Sequence, residues 1–150
     1  MELIPAKRAA QPQSWPARDK ARILIVDDES RIRLALRACL EAEGYDVTEA
    51  ADGVEGIRAV GECNPDVMIV DLAMPRKNGY EMIEELRARH LGDMPKVVVL
   101  TAYHSAFSPS GLSRIGAAAL LEKPLLPDLL GRTVRNLLEH EKADLRAGSA

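Results

Sequence analysis

Ile23-Leu24-Ile25-Val26-Asp27-Asp28 is the stretch on which the fold turns. Four aliphatic residues run without a polar break and stop on two carboxylates. An uninterrupted apolar run of this length, rich in β-branched residues, suits a strand covered on both faces, as strands of parallel sheets are. Working outward, residues 30–43 repeat Ile32, Ala35, Leu36, Cys39 and Leu40 at helical spacing, and Gly44 supplies the stop. Residues 46–50 read as a weaker second strand. Asp52 with Glu55 three positions on is close to a capping box and opens a second helix, which ends before Asn64-Pro65.

The rhythm continues. Val67-Met68-Ile69-Val70 is a third strand ending at Asp71. Residues 79–89 form a helix with Met82, Ile83 and Leu86 inward. Residues 96–100 and 118–121 are two more strands. A last helix over 126–140 carries Leu126, Leu129, Leu130, Val134, Leu137 and Leu138 at near-ideal spacing. Strands alternating with helices predict an α/β fold, a parallel sheet covered on both faces and joined by right-handed crossovers.

Composition narrows the function. A length of 150 residues suits one domain. Only five residues are aromatic, so the core is aliphatic and stacking platforms for single-stranded nucleic acid are disfavoured. A net charge of −3 argues against a general nucleic-acid or membrane-surface binder. Cys39 and Cys63 form neither a CxxC motif nor a metal cluster, the pattern of free thiols in a reducing compartment. No apolar run approaches the roughly 18–20 residues of a membrane span. The basic residues Lys7, Arg8, Arg18 and Lys20 precede no signal-like apolar region. The expected location is cytoplasmic.

Residues 1–21 stand apart. Pro5, Pro12 and Pro16 interrupt any helix, and the segment carries a net +2 against −5 for the remaining 129 residues. The expected organisation is a flexible N-terminal arm over 1–21, which holds the single tryptophan Trp15, a domain over 22–140 and a tail over 141–150. About ten residues after the last helix are too few for an output domain, so a stand-alone module is expected.

Doubly wound sheets bind ligands beyond the carboxyl ends of their strands. The strand ends here deliver Asp27 and Asp28, Asp71, Thr101, and Glu122-Lys123-Pro124. Three converging carboxylates stay ionised together only if a cation joins them. Hard oxygen ligands suit Mg²⁺, which is commonly held by one or two carboxylates plus phosphate oxygens. Lys123 and Thr101 then face the phosphate as a point charge and a hydroxyl donor. The set reads as a magnesium-assisted phosphoryl site with a carboxylate as acceptor. Each residue has a plainer role: Asp27-Asp28 as a helix cap, Asp71 as turn chemistry, Thr101 as a loop hydroxyl. Their joint arrival at successive strand ends favours the site.

Asp27-Asp28, then Asp71-Leu72-Ala73-Met74-Pro75 with Gly79, then Thr101-Ala102, then Lys123-Pro124 resemble the receiver domain of bacterial two-component response regulators. The intervals from Asp27 are 44 residues to Asp71, a further 30 to Thr101 and a further 22 to Lys123. The resemblance covers about residues 21–140. It implies a flavodoxin-like (βα)5 fold with strand order 2-1-3-4-5 and a cis Lys123–Pro124 peptide. It implies Asp71 as phosphoacceptor from a phosphohistidine on a histidine kinase or histidine phosphotransfer protein. Asp28 and Asp71 bind Mg²⁺ directly with the Ala73 backbone carbonyl, and Asp27 acts through water. Thr101 and the Ala102 backbone N–H hold phosphoryl oxygens, and Lys123 pairs with the phosphate or with Asp71. The output is a changed protein contact with a downstream protein. Such a protein is no enzyme on external substrates and catalyses only its own phosphorylation and dephosphorylation.

Two departures from the family pattern stand out. The aromatic three residues before the lysine is here Leu120, and the residue after Lys-Pro is Leu125, so the usual Thr–aromatic switch lacks its ring. Residues 103–115 contain Pro109, Gly111 and four serines, which predicts a shortened, mobile helix. A degenerate receiver that only docks is the alternative, weighed against by the presence of all five site residues. A phosphatase of the haloacid dehalogenase type wants a second aspartate where Ala73 stands.

Overall fold

The computed structural model describes residues 20–72, 74, 78–89, 94–102 and 116–149, with side chains as far as residue 140. The expectations for most of the arm, for Ala73 and for residues 103–115 lie outside the described residues. The strands are β1 (Arg22–Val26), β2 (Asp46–Ala50), β3 (Val67–Asp71), β4 (Lys96–Thr101) and β5 (Ala119–Glu122). The described helices are α1 (Ser30–Ala42), α2 (Gly53–Cys63), α3 (Gly79–Arg89) and α4 (Pro127–Ser149). All five strands pair in parallel in the order β2-β1-β3-β4-β5. This is the doubly wound, flavodoxin-like sheet that the resemblance implies.

Alternation along the central strands builds two cores. Leu24, Val26, Met68, Val70, Val97 and Val99 pack with Ala59 and Val60 of α2 and Met82, Ile83 and Leu86 of α3. Ile23, Ile25, Val67, Ile69, Val98 and Leu100 pack on the other face with Leu36 and Leu40 of α1 and Leu130 and Val134 of α4. Period two on the strands meets helical stripes from both sides. Each fully buried aliphatic side chain contributes on the order of 1.5–3 kcal/mol of transfer free energy.

Element ends follow local chemistry. Gly44, at φ +94°, closes the turn after α1. Asn64 takes the left-handed conformation at φ 51° and ends α2. Asp52 caps α2 by accepting from the Glu55 N–H at 2.9 Å, while Glu55 accepts from the Ala51 N–H. Asn78 and Glu81 form a reciprocal capping box at α3, with bonds of 2.8 and 3.2 Å.

Several boundaries differ from the sequence expectation, most by a single residue. β4 gains Thr101, and β5 lies one residue later than expected, because the ladder runs from Val98–Ala119 to Thr101–Glu122. The last helix starts at Pro127, a proline being suited to a first helical position, and continues to Ser149 rather than stopping at residue 140. Residues 141–147 are mostly good helix formers without proline, so nothing local stops it.

Candidate functional site

The site is assembled at the carboxyl ends of β1, β3, β4 and β5. Asp27 follows β1 directly and is fully buried; its N–H donates to the Ala50 carbonyl of β2 at 3.1 Å. Its Oδ1 accepts the Glu29 N–H at 2.9 Å, which shapes the turn into α1. The α1 N-cap is Glu29, with no side-chain cap. The plainer reading of Asp27-Asp28 as the helix cap therefore fails, and Asp28 is exposed. Asp71, the last residue of β3, is 4% exposed. One carboxylate oxygen from each of Asp27, Asp28 and Asp71 lies within 4.8 Å of the others.

Lys123 answers this negative cluster. Its Nζ stands 3.0 Å from Asp27 Oδ2 and 3.3 Å from Asp71 Oδ2, with Glu29 Oε1 at 3.7 Å. The Asp71 contact is a hydrogen bond. The Asp27 contact is an ion pair without hydrogen-bond angles, and Asp27 Oδ2 stays buried with no hydrogen-bond partner. Burial works against the Lys123 charge, but the Asp27 and then the Asp71 carboxylate overcome it, so its pKa is raised above the ordinary lysine value. The backbone brings the lysine in: the Lys123 N–H donates to the Thr101 carbonyl at 2.9 Å, just beyond the β4–β5 ladder. The Lys123–Pro124 peptide is cis. Thr101 is buried at the end of β4 and Ala102 follows it, exposed.

Gly79 is required by close approach. A Cβ there would overlap the Asp71 carbonyl oxygen and meet Val70 Cγ1 at 2.7 Å. The Gly79 N–H donates to the Leu72 carbonyl at 3.1 Å. The first turn of α3 thus lies directly against the backbone that carries Asp71.

Three carboxylates and one ammonium leave the cluster net negative. Three clustered carboxylates answered by a single ammonium, an all-oxygen donor set and one exposed member together fit a hard divalent cation that keeps part of its water shell. The response regulator receiver domain family matches residues 23–135. This chain belongs to that family.

The receiver is 40% identical over 129 residues to the response regulator MprA of Mycobacterium leprae, covering 85% of this chain and 55% of that protein. The chain spans about half the length of the curated relatives it matches, since the same 55% holds for MprA of Mycobacterium tuberculosis at 39% identity. Among solved structures, the chemotaxis response regulator CheY4 of Vibrio cholerae superposes with a TM-score of 0.72 at 30% identity. That match covers 79% of this chain and 98% of CheY4. A CheY-like receiver domain protein from Methanospirillum hungatei matches at 0.71 and 32%, covering 83% and 99%. Residues 23–135 are therefore a receiver domain of the response regulators of two-component signalling. No described helix is long and apolar enough to cross a membrane.

The structure brings Asp27, Asp28, Asp71 and Lys123 together, and puts Thr101 at the neighbouring strand end. Leu120 of β5 is 37% exposed and Leu125 packs partly buried on the α1–α4 core, so neither supplies a ring. Sequence reasoning missed Glu29, whose carboxylate approaches Lys123, and Arg33, whose Nη1 donates to the Asp27 carbonyl at 2.7 Å. A faint signal existed for Arg33. A base in the first turns of a helix opposes the helix dipole, so it calls for a partner outside the helix.

Proposed function

We propose that this receiver accepts a phosphoryl group on Asp71 from a phosphohistidine of a histidine kinase or histidine phosphotransfer protein, in a Mg²⁺-dependent reaction. The observation that carries the reading is Lys123 Nζ held between Asp27 and Asp71 beside three clustered carboxylates. One Asp71 carboxylate oxygen attacks phosphorus, the P–N bond to the donor imidazole breaks, and its electron pair leaves with the ring nitrogen. By the family resemblance, Asp28 and Asp71 with the Ala73 backbone carbonyl would hold Mg²⁺ and Asp27 would act through water; bound there, the ion would neutralise charge on the phosphoryl oxygens. Lys123 exchanges part of its carboxylate pairing for a phosphoryl oxygen. The Thr101 hydroxyl and the Ala102 N–H donate to the other oxygens, fixing the group as charge develops on it.

The product is a mixed anhydride on a buried strand end, and its readout is an altered contact with a downstream protein in the cytoplasm. The receiver serves as substrate and catalyst of its own modification and acts on no external substrate. Incubation with acetyl phosphate or phosphoramidate and Mg²⁺ tests this by intact mass. A gain of one phosphoryl group that Asp71→Asn abolishes is expected. No Asp71-dependent gain with either donor or with a phosphorylated histidine kinase would overturn the reading.

A further inference from the structure

We propose that Arg33 is a positioning residue for the cation site, acting through the peptide that joins Asp27 to Asp28; this rests on the cation reading above. Arg33 Nη1 donates to the Asp27 carbonyl at 2.7 Å, and its Nε donates to Glu49 Oε1 of β2 at 2.9 Å. Glu49 is held in turn, since its Oε2 accepts from Arg37 Nη1 at 2.8 Å. The neighbouring Ala50 carbonyl takes the Asp27 N–H. The end of β2 therefore grips Asp27 at both its N–H and, through Glu49 and Arg33, its carbonyl.

The grip matters because of Asp28. Among the described residues no hydrogen bond or ion pair is made by the exposed Asp28 carboxylate. Among those residues, its place is set by the backbone. The Asp27 carbonyl and the Asp28 N and Cα share one peptide plane, so holding that carbonyl aims the Asp28 side chain toward Asp27 and Asp71. A brace between α1 and β2 needs only the Arg33–Glu49 pair. The short bond to the Asp27 carbonyl is additional, and it comes from a cation placed near a site for another cation. Glu49 offsets that charge, leaving the geometric effect dominant. Partners that orient metal ligands are commonly felt in metal affinity.

Mg²⁺ titration by calorimetry, with amide shifts of Asp27, Asp28 and Glu29 as a second readout, separates the roles. Loss of a nearby positive charge alone tightens Mg²⁺ binding, so weakening in Arg33→Gln is geometric. About tenfold weakening is expected, with Asp28 amide shifts that differ from wild type before Mg²⁺ is added. Arg33→Lys keeps the charge but not the fork and is expected to fall between, about threefold weaker than wild type. Arg33→Gln that binds as tightly as wild type or tighter overturns the proposal, even if its stability in EDTA falls. Should Arg33→Gln fail to fold, Arg33→Lys with wild-type affinity overturns it. A wild-type protein that binds no Mg²⁺ sinks the cation reading, whereas wild-type binding with unaffected variants sinks only the role of Arg33.

Discussion

Two charged clusters meet at the turn after β1, and they are built on opposite plans. One holds Asp27, Asp28, Asp71 and Lys123, three acids to one base, with Asp27 and Asp71 nearly sealed from solvent. The other holds Arg33, Arg37, Glu41 and Glu49, two of each sign, alternating and partly exposed. The balanced cluster satisfies its own charges and braces α1 on the edge strand. The unbalanced one sets three clustered carboxylates against a single ammonium, an arrangement that a structural role alone does not require. Charge left unmatched inside a fold marks where a ligand completes the arithmetic.

The sharpest way to break this contrast is Asp71→Asn. It is expected to abolish Mg²⁺-dependent phosphoryl gain by intact mass. It also removes one of the crowded carboxylates, so the thermal midpoint in EDTA is expected to hold or rise. Phosphoryl gain that persists in this variant would place the acceptor elsewhere. Next in size is Asp28→Asn, expected to weaken Mg²⁺ binding by about tenfold or more, since a neutral amide would replace a carboxylate proposed as a direct ligand. Calorimetry that finds wild-type affinity would remove Asp28 from the ligand set.

Gly79→Ala tests whether the unbalanced cluster depends on close packing. The added methyl collides with the Asp71 carbonyl, a rigid backbone atom. A loss of about 1–3 kcal/mol is expected in chemical denaturation, together with slower phosphorylation. An unchanged denaturation midpoint would show that α3 shifts at little cost.

pH separates the clusters most gently. Lys123 has a raised pKa, burial opposing the rise and Asp27 and Asp71 driving it. Its stabilising contribution is full below the unfolded lysine value and is lost as pH climbs through the higher folded one. Glu49 has a lowered pKa, chiefly through the Arg37 hydrogen bond, with burial opposing and Arg33 adding to the lowering. Its contribution is full above the unfolded glutamate value and is lost as pH falls through the lower folded one. Lys123→Met is therefore expected to flatten the alkaline limb of a stability–pH curve, and Glu49→Gln the acid limb. For the partly exposed Glu49 pairs the effect is about 1 kcal/mol or less. Swapped limbs would invert the assignment of causes.

Much of this protein was legible before folding was considered. The apolar runs placed β1 and β3 within a residue of their observed ends, the weaker signal over 46–50 matched β2, and helical periodicity placed α3 without error. Those signals are local: covering both faces of a strand demands an unbroken apolar run, and Asp52 caps α2 within its own turn. The capping box of Asn78 and Glu81 was equally local and went unread. The site aspartates, Thr101 and Lys123 were also legible, because in a parallel sheet every strand delivers its last residue to the same edge.

Tertiary structure alone decided what each of those residues touches. The shift of β5 came from its pairing with β4, a register that no periodicity within 118–122 contains. Arg33 meets the Asp27 carbonyl and Glu49 only because β2 pairs beside β1 and α1 folds back over both. Gly79 is needed because α3 starts against Asp71, a contact created by the packing of α3 on β3. Sequence determined which groups reach the crevice, because strand direction and burial are encoded residue by residue. Their pairings depend on distances between segments, and only the assembled sheet sets those.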